Sequence, residues 1–500
     1  MRTMVATGIV LSLTLLTPLM LGPRTRPSGS LGPFTGVAAA PLVVDELSGV
    51  VFVGTQRIVN NRAIGGGVVR LFDGRTGTLL HSSRLGRHYP AALAVDGVLG
   101  RVVVTTSGCL PAGGGFGCAS EPAGVSILDT RTGAVLWATA LPHPPASSVV
   151  LNPQQFLPDV LVVPLTHRAF VTSCSIVTSF TLSGQRELHT VLVPGCARVP
   201  VADGPAAHVI ISSSAGNPNT QVVIGGVSGL DAATGALLYQ DRSHAAQRAR
   251  RIDEQSLSHA VVDTTRGRAV IVGDFPSQTA EIVSPIVTIL DARNGKVVRI
   301  VPLDPRARPS EPIIDERNGR AYVSVSTLAP VDGVFHLLHQ VCILDTMTGR
   351  LISTLTVTPA SLDPDAPLLA DDERTGRVFA VSAAWNGKPG SLSILDARRG
   401  VVLHTGVLSV DPQLVRVIPT TGRLFVFGRD DSAVQVLDSA TGATLSRISL
   451  GKPLTRGLSS LKATVDARTG RVFVVHHLDT LLSVLDARTG RVLRTTSLAA

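Results

Sequence analysis

The last two strand pairs of the chain, VDARTGRVFVV (465–475) and VLDARTGRVLRTTSL (484–498), contain the pattern that decides the fold. In each pair an apolar strand ends in Asp, and Gly follows four residues later. The Asp side chain accepts hydrogen bonds from the backbone of the turn ahead of it, and the Gly supplies the positive φ that closes a short hairpin. The pattern therefore predicts β-hairpin corners, not carboxylate sites.

The same two corners recur along the chain. The first corner, Asp-x-x-x-Gly, begins at Asp45, Asp96, Asp263, Asp315, Asp372 and Asp466. The second corner, D-x-x-T-G, begins at Asp73, Asp129, Asp231, Asp345, Asp438 and Asp486, with variants at Asp291 and Asp396. Two hairpins make one four-stranded blade, and a repeat of roughly forty to sixty residues is typical of a propeller.

We therefore predict an all-β protein with a single β-propeller of four-stranded antiparallel blades. We count nine candidate blades and expect eight or nine, because the unit at about 157–193 has Ser183-Gly184 in place of D-x-x-T-G. The composition agrees with this class, since 48 Gly, 32 Pro and only 16% charged residues favour strands and turns over helices.

Two strands resemble a known repeat. The segments AYVS (321–324) and VFVV (472–475) resemble the strand of YVTN-type propeller repeats, which occur in bacterial surface and periplasmic proteins. The chain is more distantly similar to the quinoprotein-like propellers, and the resemblance covers nearly everything after residue 40. It implies a radial propeller, often of unassigned function.

One further stretch, Asp129–Trp137, resembles the tryptophan-docking repeat of pyrroloquinoline-quinone dehydrogenases. In that family several repeats carry the Trp, which locks adjacent blades. Here one unit carries it, so we interpret Trp137 as an inter-blade packing residue. We expect no cofactor, with pyrroloquinoline quinone as the alternative.

The N-terminus predicts export. Arg2 is followed by an apolar run from Met4 to Leu21, which fits a secretory signal or a membrane anchor. We divide the chain into a signal peptide or anchor (1–22), a flexible linker (23–39) and the propeller (40–500). The expected location is outside the cytoplasm: secreted, periplasmic or anchored in a membrane at the cell envelope.

The cysteines agree with an oxidising compartment. Cys109 and Cys118 flank a Gly-rich loop, and Cys174 and Cys196 lie in one neighbouring unit, so we predict two disulfides that staple loops. The C-x-x-C pairs of a zinc site are missing. Cys342, inside a strand, is expected to be a buried free thiol.

The net charge of +9 does not predict nucleic-acid binding. Arginines are spread over all repeats as on a solvated surface, without a basic cluster interleaved with aromatic residues. The histidine pairs are interpreted as ordinary surface residues and not as a metal site: His476 and His477 point to opposite sides of a strand, and His336 and His339 lie in a loop.

Propeller topology separates two faces. The tight Asp…Gly corners lie on one face, and the longer connections lie on the other, which we call the loop face. Examples of its long, irregular connections are Gly54–Gly67, Ser107–Gly124, Pro142–Pro158, His244–Ser258 and Ser326–Gln340. Loops longer than a hairpin requires often carry binding sites on rigid scaffolds, so the loop face is the candidate functional face.

One repeat position indicates a candidate site. Four residues before the first corner, where the inner strand begins at the channel mouth, most units have an apolar residue: Pro41, Ala92, Leu368 and Val415. Three units have His259, Glu311 and Lys462 instead. Polar groups that converge on a funnel suit a small-ligand site, and the alternative is that they face water in a wide channel.

These observations favour a non-catalytic, monomeric propeller that acts as a binding or protein-interaction scaffold for an unnamed protein or small-molecule ligand. Two alternatives stay open. One is a quinoprotein- or lyase-like enzyme at the channel mouth, supported by Trp137 and the three polar residues. The other is an envelope adhesion or assembly partner.

Overall fold

The computed structural model describes residues 36–59, 62–63, 66–86, 88–107, 123–142, 158–173, 175–184, 187–193, 196–197, 200–203, 208–217, 222–241, 245–248, 259–276, 283–305, 307–331, 334–361, 366–383, 390–428, 433–450, 461–476 and 481–498. Within these ranges the chain forms strands β1–β40 and no helix, and so none that is long and apolar enough to span a membrane. The predicted signal segment (1–22) lies outside them, and β1 begins inside the segment predicted as a linker.

The strands form nine antiparallel sheets, each a four-stranded path in chain order, with short extra strands in blades 1, 4 and 6. Blades 1–3 contain β1 (Gly36–Asp45), β2 (Val50–Val59), β3 (Arg62–Ala63), β4 (Val68–Asp73) and β5 (Leu79–Arg84); β6 (Tyr89–Asp96), β7 (Arg101–Ser107), β8 (Gly124–Asp129) and β9 (Val135–Ala140); β10 (Asp159–Val163), β11 (Arg168–Ser173), β12 (Ile176–Thr181) and β13 (His189–Leu192).

Blades 4–6 contain β14 (Cys196–Ala197), β15 (Val201–Ala202), β16 (His208–Asn217), β17 (Val222–Asp231), β18 (Leu237–Asp241) and β19 (Ala245–Arg248); β20 (His259–Asp263), β21 (Arg268–Pro276), β22 (Val283–Asp291) and β23 (Val297–Pro302); β24 (Ala307–Pro309), β25 (Ile313–Asp315), β26 (Arg320–Val331), β27 (Val334–Asp345) and β28 (Leu351–Ser361).

Blades 7–9 contain β29 (Leu368–Asp372), β30 (Arg377–Ser382), β31 (Ser391–Asp396) and β32 (Val401–Val407); β33 (Pro412–Ile418), β34 (Arg423–Gly428), β35 (Ala433–Asp438) and β36 (Thr444–Ser449); β37 (Leu461–Asp466), β38 (Arg471–His476), β39 (Leu481–Asp486) and β40 (Val492–Ser497). All nine predicted blades are therefore present, including the degenerate third one.

The blades close into a ring. The inner strands contact one another in sequence, from β1 through β6, β10, β15, β20, β25, β29, β33 and β37 and back to β1. Blades 9 and 1 share an apolar cluster that includes Val51, Phe72, Phe473 and Leu498, all fully buried. Arg468 Nε also donates to the Glu46 carbonyl at 2.6 Å. Every blade consists of consecutive strands, so the ring closes by packing of whole blades.

The corners have the chemistry that the sequence predicts. In the last blade, Asp486 Oδ1 accepts the N–H of Thr489 at 2.8 Å and its hydroxyl at 2.8 Å, and Gly490 has a φ of 74°. Burial alone would raise the pKa of Asp486, but these hydrogen bonds and the charge of Arg471 hold it below its ordinary value. The first-corner Asp466 is fully buried and accepts the N–H groups of its own turn.

The arginines that follow the first corner have a structural role that their spread did not predict. Each is the first residue of the second strand and lies opposite the second-corner Asp of its own blade. Arg471 Nη1 lies 3.0 Å from Asp486 Oδ2, and the matching pairs are Arg101–Asp129 (2.9 Å), Arg268–Asp291 (2.7 Å) and Arg423–Asp438 (3.0 Å). In these four blades an ion pair thus connects the first corner to the second corner.

Blade 6 corrects one sequence assignment. Ser326–Gln340 is not an irregular connection, because β26 and β27 continue through it as one hairpin paired as far as Val331 and Val334. His336 and His339 therefore lie in a strand and not in a loop. The side chain of His339 is fully buried, and its Nδ1 lies 2.7 Å from Ser326 Oγ, so it is not a surface histidine.

Candidate functional site

The three polar residues singled out by the repeat lie on inner strands or beside them. His259 begins β20 in blade 5, and Lys462 is the second residue of β37 in blade 9. Glu311 lies in the bend between β24 and β25 of blade 6. Glu311 and Lys462 are exposed and His259 is half-buried. All three precede the first corner by four residues and so lie toward the loop face.

Two further charged residues belong to the same lining. Asp159 begins β10 in blade 3, and Arg416 lies within β33 of blade 8. Burial raises the pKa of Asp159, and the Val160 N–H, 2.8 Å from Asp159 Oδ1, acts in the opposite direction together with Lys462. The surrounding protein lowers the pKa of the Arg416 guanidinium, although that side chain reaches solvent, and Glu311 raises it.

The electrostatic effects on the pKa values of Asp159 and Arg416 come from blades that are not their neighbours in the ring. Lys462 of blade 9 acts on Asp159 of blade 3, and Glu311 of blade 6 acts on Arg416 of blade 8. Lys462 thus acts on a residue three blades away around the ring, and Glu311 on a residue two blades away. The site is thus a charged belt, which we define as Asp159, His259, Glu311, Arg416 and Lys462.

The lining around the belt is mostly aliphatic. The positions adjacent to the belt carry half-buried side chains such as Leu42, Leu93 and Val261. Thr464 of β37 is polar, and near the corner end Asp371 takes the place just before the first-corner Asp372. Burial, followed by the charges of Glu373 and Asp315, raises the pKa of Asp371 to about 6.

Two members of the belt were missed from the sequence for different reasons. Asp159 lies in the degenerate blade, where Val163 replaces the first-corner Asp, so the position could not be counted from a corner. Counting back from Arg168, which begins the second strand as in other blades, would have found it. Arg416 lies two residues nearer its corner. The pairing of Ile418 with Arg423 also shows that Leu414, not Val415, is the equivalent apolar residue of blade 8.

The loop face is asymmetric around the belt. The second strands of blades 4, 5 and 6 have 10, 9 and 12 residues and that of blade 1 has 10, whereas those of blades 7, 8 and 9 have 6 each. The three consecutive long hairpins of blades 4–6, which include the blades of His259 and Glu311, form what we call the wall. Most of Ser107–Gly124, Pro142–Pro158 and His244–Ser258 lies outside the described residues.

Comparison with known proteins gives the family. The family model described as "Outer membrane protein assembly factor BamB" matches residues 65–329 and 286–500. The chain belongs to the BamB family. This assignment agrees with the resemblance to quinoprotein-like propellers. No curated protein matches the sequence.

Solved structures resemble the BamB-family chain only distantly. BamB from Moraxella catarrhalis is 14% identical, with 89% of this chain and 97% of that chain covered and a TM-score of 0.41. Apo AztD from Citrobacter koseri is 12% identical, with 76% and 92% covered and a TM-score of 0.42. The dihydro-heme d1 dehydrogenase NirN, in complex with DHE, is 11% identical, with 75% and 71% covered and a TM-score of 0.46. At these scores none of them supports an argument about function.

Trp137 of this BamB-family chain does not belong to the belt. It lies on β9, the outer strand of blade 2, and its ring centroid is 5.2 Å from that of Phe180 in blade 3, at an interplanar angle of 49°. The interpretation as an inter-blade packing residue is confirmed. The residue that suggested a quinone therefore lies on an outer strand and not on an inner strand of the ring. Among the described residues no group of His, Cys, Asp and Glu could hold a metal ion.

One prediction about the cysteines, the free thiol, is confirmed, and the two predicted disulfides are untested. Cys342 is a free thiol, 4% exposed, and burial raises its pKa. Cys109, Cys118 and Cys174 lie outside the described residues, and Cys196 is described only as backbone of β14. Both disulfides stay predictions.

Proposed function

We propose that this chain is a non-catalytic scaffold that binds a protein partner at the cell envelope through the mouth of its channel on the loop face. The observation that carries the proposal is the charged belt. Its five side chains come from five different blades and lie at or near one end of the channel, beside the wall of blades 4–6. The other inner-strand positions named above are mostly aliphatic, so the charge is concentrated where a partner could reach it.

The chemistry of the belt suits recognition more than catalysis. Lys462 acts electrostatically on Asp159, and Glu311 acts on Arg416, so a partner that presents both charges could exchange these interactions for its own. Charged groups in such a position determine specificity and association rate. No cofactor is part of the proposal.

The envelope location rests on two supports. The apolar segment at 4–21 predicts export, and the family description names an outer-membrane assembly factor. In this proposal residues 1–22 direct the chain out of the cytoplasm or anchor it in a membrane, and an oxidising compartment allows the pairs Cys109–Cys118 and Cys174–Cys196 to form.

The test is quantitative affinity purification from the source organism with two charge-reversal variants. One variant, Arg416→Glu with Lys462→Glu, changes the belt. The matched control, Arg131→Glu with Arg488→Glu, changes two exposed corners on the other face. We expect one partner to be enriched with the wild type and the control and lost with the belt variant. A partner set that is the same for all three proteins, or no partner with any of them, contradicts the proposal.

A further inference from the structure

The face opposite the loop face carries an excess of positive charge. It consists of the turns between the first and second strands and between the third and fourth strands of every blade, and we call it the corner face. Among the described residues of these turns, twelve exposed side chains are cationic, eleven Arg and Lys296, and three are Glu. A charge that is spread along the sequence is thus concentrated on one side of the ring, because every repeat places its turns there.

The aspartates of the corners do not cancel this excess. Asp129, Asp291, Asp438 and Asp486 each form an ion pair with the half-buried arginine that begins the second strand of the same blade. Those arginines lie in strands and are not among the twelve exposed cations of the turns. The corner face is therefore basic, whereas the charged belt contains two cations and two carboxylates besides a histidine.

Three aliphatic side chains project from neighbouring turns of the corner face. Leu47, Val98 and Leu165 are each the second residue of the first turn in blades 1, 2 and 3, and they are 65%, 68% and 71% exposed. Three consecutive blades thus have an exposed aliphatic residue at one turn position. In the other blades whose turn is described, this position is polar and carries Thr265, Arg317, Arg374, Thr420 or Arg468.

Contacts between the turns hold these three residues side by side. A Cβ atom at Gly97 would lie 3.2 Å from Leu47 Cδ1, so the leucine of blade 1 rests on the turn that carries Val98. His167 Nδ1 lies 2.7 Å from Asp96 Oδ2, and this contact joins the turns of Val98 and Leu165. Single surface leucines are common, but three aliphatic residues on joined turns form one apolar patch within a basic surface.

We propose that the corner face docks on an anionic membrane surface, with the apolar patch of blades 1–3 in contact with the lipid. Peripheral binding to a membrane combines burial of aliphatic side chains among the headgroups with attraction of cations to anionic lipids. The corner face offers both. A nucleic acid would use the cations alone, and sites for single strands add aromatic side chains, whereas the described turns contain no Phe, Tyr or Trp.

Docking through the corner face leaves the charged belt accessible. The belt lies toward the loop face, on the opposite side of the ring. The inference rests on the proposed location at the cell envelope and not on the proposed protein partner. A corner-face variant that no longer binds lipid should therefore still bind the partner, so the two proposals can fail separately.

Flotation of the full-length chain with lipid vesicles tests the docking at about 0.15 M salt. One set of vesicles contains equal parts of phosphatidylglycerol and phosphatidylcholine, and the other contains phosphatidylcholine alone. We expect an affinity at least about tenfold higher for the anionic vesicles, because the twelve cations face the headgroups. Leu47→Gln with Val98→Gln and Leu165→Gln should lower the affinity for anionic vesicles at least about tenfold, because three aliphatic groups are no longer buried.

A charge-reversal pair with a matched control separates the two faces. Arg75→Glu with Arg491→Glu changes the corner face and should weaken binding to anionic vesicles at least about tenfold. Arg57→Glu with Arg308→Glu makes the same change in net charge at two exposed arginines toward the loop face, outside the belt, and should bind as the wild type does. All proteins carry the same N-terminal segment, so its own affinity for lipid is common to every comparison.

Three outcomes overturn the proposal. They are equal binding of the wild type to both kinds of vesicle, unchanged binding of the variant with three glutamines, and tighter binding of the wild type to a DNA duplex than to the anionic vesicles.

A fluorescent reporter tests the contact without weakening the patch. Val98→Trp keeps an apolar side chain at the tip of the turn of blade 2. Its tryptophan emission, after subtraction of the wild-type signal, should shift to shorter wavelength with anionic vesicles and stay unchanged with phosphatidylcholine. The absence of a shift with anionic vesicles that bind the protein would place the contact elsewhere and overturn the proposal.

Discussion

The hydroxyl of Thr346 connects blades 5 and 6 at a fully buried carboxylate. Thr346 Oγ1 lies 2.6 Å from Asp263 Oδ2 and 3.1 Å from the Gly319 carbonyl oxygen, and Thr346 and Asp263 both have 0% exposure. Asp263 keeps two other donors from Arg266, the N–H at 3.1 Å and Nη1 at 3.3 Å. Removing the hydroxyl therefore takes one hydrogen-bond donor from the Asp263 carboxylate, which keeps the two donors of Arg266.

Replacing Thr346 by Val retains the shape and removes the donor. A hydrogen bond to a charged group contributes about 1.5–3 kcal/mol, so we expect a loss of about 2 kcal/mol in the free energy of unfolding. For a chain of this length the entropy of unfolding is about 1 kcal/mol per kelvin, so the melting temperature should fall by about 2 °C if the ring unfolds as one unit.

Differential scanning calorimetry at pH 7 measures this shift. Thr346→Ser keeps the hydroxyl and should melt within about 1 °C of the wild type. Thr348→Val removes an exposed hydroxyl, 2.8 Å from Asp345 Oδ1, and should have a smaller effect than Thr346→Val. A double-mutant cycle with Asp263→Asn should give a coupling of about 1–2 kcal/mol. If Thr346→Val melts with the wild type, or the coupling is zero, the hydroxyl does not stabilise the blade contact.

Two further predictions concern Asp371 and His167. Because burial and then Glu373 raise the pKa of Asp371 to about 6, the folded chain binds a proton that the unfolded chain has lost, and stability falls as pH rises from about 4 to 6. Asp371→Asn should therefore raise the melting temperature at pH 7.5 by about 1–2 °C and leave it unchanged at pH 4; equal shifts at both values would refute this. His167 has a φ of 50°, and its Nδ1 lies 2.7 Å from Asp96 Oδ2. His167→Gly should relieve the backbone strain but lose that contact, so we expect the free energy of unfolding in urea to fall by about 1 kcal/mol. An increase in this free energy would show that the strain outweighs the contact.

The fold was accessible from the sequence because its decisive interactions are local. Asp486 and Gly490 are four residues apart, and the hydrogen bonds of Asp486 Oδ1 stay within its own turn, so the pattern and the structure coincide. The same reasoning counted nine candidate blades, because the third keeps its strands and Ser183-Gly184 although it has lost both aspartates, and in the structure Gly184 has a φ of 71°.

The site was only partly accessible because its decisive interactions are not local. The effect of Lys462 on Asp159 joins residues about 300 positions apart in the chain, and it depends on ring closure, which no single repeat reveals. Likewise, the sequence predicts a loop at Ser326–Gln340 because the extensions of β26 and β27 have no corner to mark them. His339 in that hairpin is buried by its pairing with Ser326, and its sequence neighbours give no sign of this.

Closure of the ring by whole blades has a consequence for the order in which the chain can mature. Synthesis produces blade 1 first, yet one apolar side of it, with Val51, Val53 and Phe72, packs against residues of blade 9 such as Phe473 and Leu498, near the other end of the chain. Until the last fifty or so residues arrive, that side is exposed water-facing hydrophobic surface, which is prone to aggregation. Removing the last blade alone should therefore expose the apolar sides of blades 1 and 8 and make the remaining chain prone to aggregate.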